Sequence, residues 1–127
     1  MRVLGLDHLV LTVRDLERTL CFYTQVLGME HRTFGKDRHA LHFGGQKINL
    51  QLADFPIDPK VKHAAPGSAD LCFMVDPPLD EVLAHVQAHG VEVFEGPGHR
   101  GGATGTLRSV YCYDPDENLI ELAERVG

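Results

Sequence analysis

Four polar residues of this chain stand where strands would turn them away from an apolar core, and their types suit a divalent cation. Glu121 lies in Leu119-Ile120-Glu121-Leu122, between two residues that belong in a core. Successive side chains of a strand point to opposite faces, so whatever lies on the Glu121 side must tolerate a half-buried charge. His8 falls opposite the alternating Leu9, Leu11 and Val13, Asn49 lies between Ile48 and Leu50, and Asp70 opens Leu71-Cys72-Phe73-Met74-Val75. One imidazole, two carboxylates and an amide oxygen form a donor set for Mn²⁺, Fe²⁺, Ni²⁺, Mg²⁺ or Zn²⁺, with no thiolate required. Without a cation, two close carboxylates would repel and one would stay protonated. Taken alone, His8 is an ordinary partly buried histidine and Asp70 a turn residue after Pro66-Gly67-Ser68. Convergence of all four is what marks a site.

A duplication positions them. The strand from His8 to Val13 leads to a helix in which Leu16, Leu20, Tyr23 and Leu27 recur at helical spacing, with Asp15 as cap and Gly28 as stop. Strands follow at 30–33, 39–43 and 47–52, joined by turns at Gly35-Lys36-Asp37 and Gly44-Gly45. The order recurs 62 residues on, where Asp70 to Val75 replaces His8 to Val13. Leu79, Val82, Leu83 and Val86 make the second helical stripe after Pro77-Pro78. Ile48-Asn49-Leu50 corresponds to Ile120-Glu121-Leu122 at an offset of 72, so the second half carries ten residues more, which the glycine-rich run 96–105 would supply as a mobile flap. The expected fold is α+β: two tandem βαβββ modules, 4–52 and 69–125, joined by linker 53–68 within one domain, 1–127. Their helices cover one face, and the uncovered sheet faces enclose a metal-binding cavity.

His42 alternates with Leu41 and Phe43 and so faces the site, where it could contact substrate or complete a metal shell. Arg100, with Gly101, Gly102 and Thr104, offers a guanidinium and backbone N–H groups to a carboxylate or phosphonate, although the run lacks the order of a phosphate-binding P-loop. Ser109 and Tyr111 share one strand face with Tyr113, for substrate contact or simply as sheet cover. His85 and His89 have metal-compatible spacing but lack a zinc-protease motif, and the helical stripe turns them to solvent. His63 lies in the linker as a lid candidate.

The chain is 43% hydrophobic and 24% charged, enough to bury a core of its own. A net charge of −6 with interspersed signs argues against a nucleic-acid partner. No apolar run approaches the roughly 18 residues of a membrane span, and Met1-Arg2-Val3-Leu4-Gly5 is unlike a signal peptide, so a cytoplasmic location is expected. Cys21, Cys72 and Cys112 read as small buried apolar residues rather than a disulfide framework.

The Asp7-His8 start, the helix end Phe22-Tyr23-Thr24-Gln25-Val26-Leu27-Gly28-Met29 and the closing Asp114-Pro115-Asp116 to Ile120-Glu121-Leu122 resemble the vicinal-oxygen-chelate superfamily of glyoxalases, bleomycin and fosfomycin resistance proteins and extradiol dioxygenases. Phe43-Gly44, Gln46-Lys47-Ile48-Asn49-Leu50 and Pro66-Gly67-Ser68-Ala69-Asp70-Leu71-Cys72 further resemble its branch of glyoxalase domain-containing protein 5 and related bacterial virulence proteins. The resemblance implies that His8 and Glu121 are the first and last metal ligands. Asp70 then replaces a usual histidine, and Asn49 stands where glyoxalase I has a glutamate. Asparagine cannot take a proton at neutral pH, so Glu121 is the base that remains, and Asn49 is a fourth ligand or a hydrogen-bond donor to substrate. The replaced histidine disfavours extradiol oxygenation.

The implied activity is that of a metal-dependent, lactoylglutathione lyase-like enzyme on a small oxygen-chelating metabolite, the ion stabilising an enediolate or alkoxide as Lewis acid. A thiol such as glutathione is the implied cosubstrate. The alternatives are a fosfomycin-resistance-type thiol transferase or hydrolase and a non-enzymatic binding or resistance protein. A homodimer is also implied, with ligands from one chain or from two.

Overall fold

A computed structural model describes all 127 residues, which divide into two compact units, Met1–Gly67 and Ser68–Gly127. In the first unit, β1 (His8–Val13) leads to α1 (Leu16–Cys21), a π-helical turn (Phe22–Val26), β2 (Glu30–Phe34), β3 (Arg38–Phe43) and β4 (Gln46–Leu52). The second repeats the order as β5 (Asp70–Met74), α2 (Leu79–Ala88), β6 (Glu95–Gly102), β7 (Gly105–Tyr113) and β8 (Leu119–Arg125). Each unit holds one sheet, ordered β1-β4-β3-β2 and β5-β8-β7-β6, with the outermost first strand parallel to the last. These are the two βαβββ modules expected of an α+β chain.

Asp15 caps α1 by accepting the Arg18 N–H at 2.9 Å. The stripe expected from spacing was Leu16, Leu20, Tyr23 and Leu27, whereas Thr19, Phe22, Tyr23 and Val26 are the buried residues. The π turn after Cys21 accounts for the shift, because a wider turn brings the adjacent Phe22 and Tyr23 inward together, their rings edge to face at 5.1 Å. Gly28, with φ of +72°, then stops the helix where only glycine is unstrained. In α2, Leu79, Val82 and Val86 are buried as expected, and the helix packs on β7 and β8. Each such side chain contributes about 1.5–3 kcal/mol by leaving water. Pro78 brings no side-chain acceptor to the helix start, and Glu124 Oε1 on β8 accepts the Leu79 N–H at 2.9 Å instead.

The glycine-rich run is a strand, which corrects the expectation of a mobile flap: β6 pairs antiparallel with β7 across a tight turn, with one irregularity between Glu95 and Gly98. Its glycines admit close backbone approach. A Cβ at Gly96 would stand 2.4 Å from the Ser109 carbonyl oxygen, and one at Gly102 2.7 Å from that of Gly105. The cysteines also differ from expectation, since Cys21 and Cys72 are exposed and only Cys112 is buried.

A buried polar knot joins β7, β8 and the start of β5. Asp114 accepts the backbone N–H groups of Asp116 and Asn118 and the Asn118 side-chain amide, at 2.8–2.9 Å. Asn118, 1% exposed, accepts the Ala69 N–H at 2.9 Å. Asn118→Ala should therefore cost about 2–3 kcal/mol, because buried partners lose their bonds. Urea denaturation would read this as a lower midpoint at unchanged slope. Burial, and then the Asp114 charge, push the Cys112 thiol up to about 11, so at pH 8 it stays protonated. Iodoacetamide at that pH should modify Cys21 and leave Cys112 intact in the folded protein, as peptide mass mapping would report.

Candidate functional site

Strand pairing tests whether the four candidates share equivalent places. In the first unit His8 pairs with Lys47 and Val10 with Asn49; in the second Asp70 pairs with Leu119 and Cys72 with Glu121. His8 thus matches Asp70 and Asn49 matches Glu121, each on the face opposite Leu11, Ile48 and Leu50 or Phe73, Ile120 and Leu122. The core residues of that opposite face are buried, including Leu11, Ile48, Leu50, Ile120 and Leu122.

On the first unit's open face, Asp7 Oδ1 lies 2.8 Å from His8 Nδ1. A carboxylate only accepts, so in the neutral imidazole Nδ1 carries the proton and Nε2 keeps a lone pair. The same contact holds the Asp7 carboxyl below its ordinary range. Asn49 is 5% exposed, and its Oδ1 is buried without a hydrogen-bond partner. An unpaired buried carbonyl costs on the order of 1–3 kcal/mol, so an electron-poor partner at that oxygen would relieve it. His42, half-buried, shares the face as the register partner of Lys47.

On the second unit's open face, Glu121 lies in a transverse row with Cys72 on one side and Tyr111, then Glu95, on the other. Ser109 Oγ donates to Glu121 Oε2 at 2.6 Å. Burial pushes the Tyr111 phenol upward; the Arg100 hydrogen bond opposes this and the Glu121 charge adds to it. The phenol therefore stays protonated near neutral pH. Arg100 is not an open anion site: it donates to Tyr111 Oη at 3.1 Å, to the His99 carbonyl at 3.0 Å and to the Glu95 carboxylate. Asp70 shares the Glu121 face but is exposed, and its carboxylate makes no hydrogen bond. His85 and His89 are exposed on α2, as expected.

The structure thus brings Ser109, Tyr111 and Glu121 together and ties Arg100 to them through Tyr111. Sequence reading missed Asp7 as the orienter of His8 and Cys72 as the neighbour of Glu121. Partial desolvation of its thiol, although the residue is exposed, and then the Glu121 charge push Cys72 up to about 11, so it is a protonated thiol beside the carboxylate. Strand alternation from Asp70 would have placed it there.

The donors fit a divalent ion in kind: an imidazole nitrogen set by its carboxylate neighbour, an unpaired amide oxygen and a carboxylate on a rigid strand. No three His, Cys, Asp or Glu side chains of the chain gather around one point.

Residues 5–122 match the family description Glyoxalase/Bleomycin resistance protein/Dioxygenase superfamily. The virulence protein STM3117 of Salmonella typhimurium is 47% identical over 121 residues, 95% of this chain and 84% of that protein. The integron cassette protein VCH_CASS1 of Vibrio cholerae superposes with a TM-score of 0.97 at 48% identity, over 99% of this chain and 98% of its own. The fosfomycin resistance protein FosX of Listeria monocytogenes is 27% identical over 126 residues, covering 93% of this chain and 87% of that protein. Its complex with Mn(II) and 1S,2S-dihydroxypropylphosphonic acid aligns at a TM-score of 0.68 and 25% identity, over 98% of this chain and 93% of that one. This chain, matched from residue 5 to residue 122, belongs to the glyoxalase, bleomycin resistance and dioxygenase superfamily.

Proposed function

We propose that this chain is a metal-dependent, glyoxalase-like enzyme acting on a small metabolite that chelates the ion through adjacent oxygens. The observation that carries the reading is the register match of His8 with Asp70 and of Asn49 with Glu121 on the open faces. His8, Asp70 and Glu121 are the proposed ligands, with Asn49 as fourth ligand or as donor to substrate. The ion, when bound, supplies Lewis acidity to the substrate oxygens. Glu121 is the proton acceptor, held in place by Ser109 Oγ at 2.6 Å. Tyr111, anchored by Arg100, presents a protonated phenol on the same face and can donate to a substrate oxygen. His42, on the first unit's open face, is a further proposed substrate contact.

A second reading, hydration or thiol opening of a strained phosphonate, is favoured by the likeness to FosX. The same residues serve it, with Glu121 taking a proton from water or thiol. Turnover of methylglyoxal with glutathione supports the first reading, and turnover of fosfomycin with water or thiol the second. Tight ligand binding that survives chelation, without either turnover, would identify a binding protein instead.

We also propose a homodimer whose sites draw ligands from both copies. Supporting it, the open faces expose Val10 (50%), Met74 (48%) and Tyr113 (51%), more apolar surface than an isolated face favours.

Glu121→Gln should keep the fold and lower turnover roughly 10²–10⁴-fold, since the amide cannot accept a proton and is a weaker donor to the ion. Full turnover in that variant would sink the assignment. Chelator treatment should abolish activity, and readdition of Mn²⁺, Ni²⁺ or Zn²⁺ should restore it. Mixing purified His8→Ala and Glu121→Gln proteins under subunit exchange should return about a quarter of wild-type activity, because each mixed dimer regains one complete site. No recovery would place the ligands within one chain.

A further inference from the structure

The first unit's open face carries a group of side chains that the metal and the proton acceptor leave unused. Phe34 on β2, Arg38 on β3 and Lys47 on β4 lie on the face that bears His8, Asn49 and His42, as the register of the four strands requires. The Arg38 guanidinium carbon is 4.6 Å from the Phe34 ring centroid and Lys47 Nζ is 4.2 Å from it. The two charges therefore stand within about 9 Å of each other, close enough to repel at ordinary ionic strength. Neither is in an ion pair. Arg32, the other cation on this face, is matched by Glu30 at 2.9 Å, and Asp7, the carboxylate that feels the Lys47 charge, is bonded to His8. Arg38 Nε is buried with no acceptor.

Two unmatched cations are thus braced on one aromatic ring, whose negative π-face offsets part of the repulsion. All three residues are half-buried, so the ring also limits the conformations that a long Lys or Arg would otherwise sample. Ala40, fully buried in the register row between Arg32 and Asn49, adds only a methyl group to the floor of this face. A guanidinium fork with an ammonium within about 9 Å of it is a receptor for an oxyanion: the fork matches a planar carboxylate bidentately, and the second charge adds attraction for a phosphonate dianion. Arg100, the sequence's first candidate for this task, is occupied by Glu95 and Tyr111.

We propose that Arg38 and Lys47, braced on Phe34, form an oxyanion subsite, and that the metabolite handled by this protein carries a carboxylate or phosphonate besides its chelating oxygens. The substrate statement rests on the proposed enzyme reading; the anion site does not. NMR titration of the metal-free, full-length protein with acetate and with methylphosphonate, against the neutral acetamide and dimethyl methylphosphonate, separates the two. Either anion should give saturable shifts at Arg38 Nε–H and at the amides of Phe34, Arg38 and Lys47, weakened by added salt, while the neutral compounds give none. Arg38→Gln and Lys47→Gln should each weaken binding at least about tenfold, as loss of a charge-assisted contact does. Arg38→Lys should retain methylphosphonate better than acetate, because it keeps the charge and loses the fork. The anion favoured in wild type names the substrate's group. Glu121→Gln should bind these anions as wild type does, so a failed enzyme reading leaves this result standing. Absence of saturable binding, equal response to the neutral compounds, or binding unchanged in both charge-removing variants would overturn the subsite.

Discussion

Parallel pairing of β1 with β4 and of β5 with β8 makes the first and last strands of each module share one alternation of faces. Leu11 and Val13 cannot turn inward without turning His8 and Val10 outward, and β4, hydrogen-bonded alongside, must place Asn49 with them. The same holds for Asp70, Cys72 and Glu121 against Phe73, Ile120 and Leu122. A slip of one residue would put a carboxylate into the layer under α2 and leave leucines in water. Burial of the helix-covered face therefore fixes the position of the polar face as strictly as any contact within it.

That coupling made much of the chain legible from residues alone. Alternation gave the strands and the side on which His42, Asn49, Ser109, Tyr111 and Glu121 lie, because one face of each strand is plainly apolar. It failed where glycine removed the pattern: a run of glycines reads as a loop, although in β6 it permits the backbone of β7 to come close. It failed again at α1, where a π turn changes the period on which the stripe was counted. Cys72 was read by type rather than by place, and Asn118 gave no signal because a three-way polar knot is written in no periodicity. Arg38 and Lys47 lie at positions that alternation from His42 and Asn49 identifies, but charged residues in a strand read as solvent-facing unless their partners are known.

The matched positions of Asn49 and Glu121 set a limit on the chemistry. Both lie in the last strand of a module on the open face, yet one side chain can accept a proton at neutral pH and the other cannot. On the proposed reading a single carboxylate both takes the proton and returns it, so substrate must remain beside Glu121 through both transfers. A short Ser109 bond suits that duty, since it holds one carboxylate oxygen without adding a second titrating group. The protonated Cys72 and Tyr111 add donors without adding negative charge.

Charge is divided unevenly between the modules. Met1–Gly67 has nine Lys and Arg against seven Asp and Glu, while Ser68–Gly127 has three against eleven. On the open faces the contrast sharpens: the second bears Asp70, Glu95 and Glu121, with Arg100 tied to Glu95 and Arg125 to Thr104, whereas Arg38 and Lys47 on the first have no carboxylate of their own. A carboxylate-rich face repels an anionic metabolite unless a cation intervenes, and a cationic face attracts it but offers no strong base. The two modules have thus diverged in the charge of their open faces, the first cationic around Phe34 and the second carboxylate-rich around Glu121.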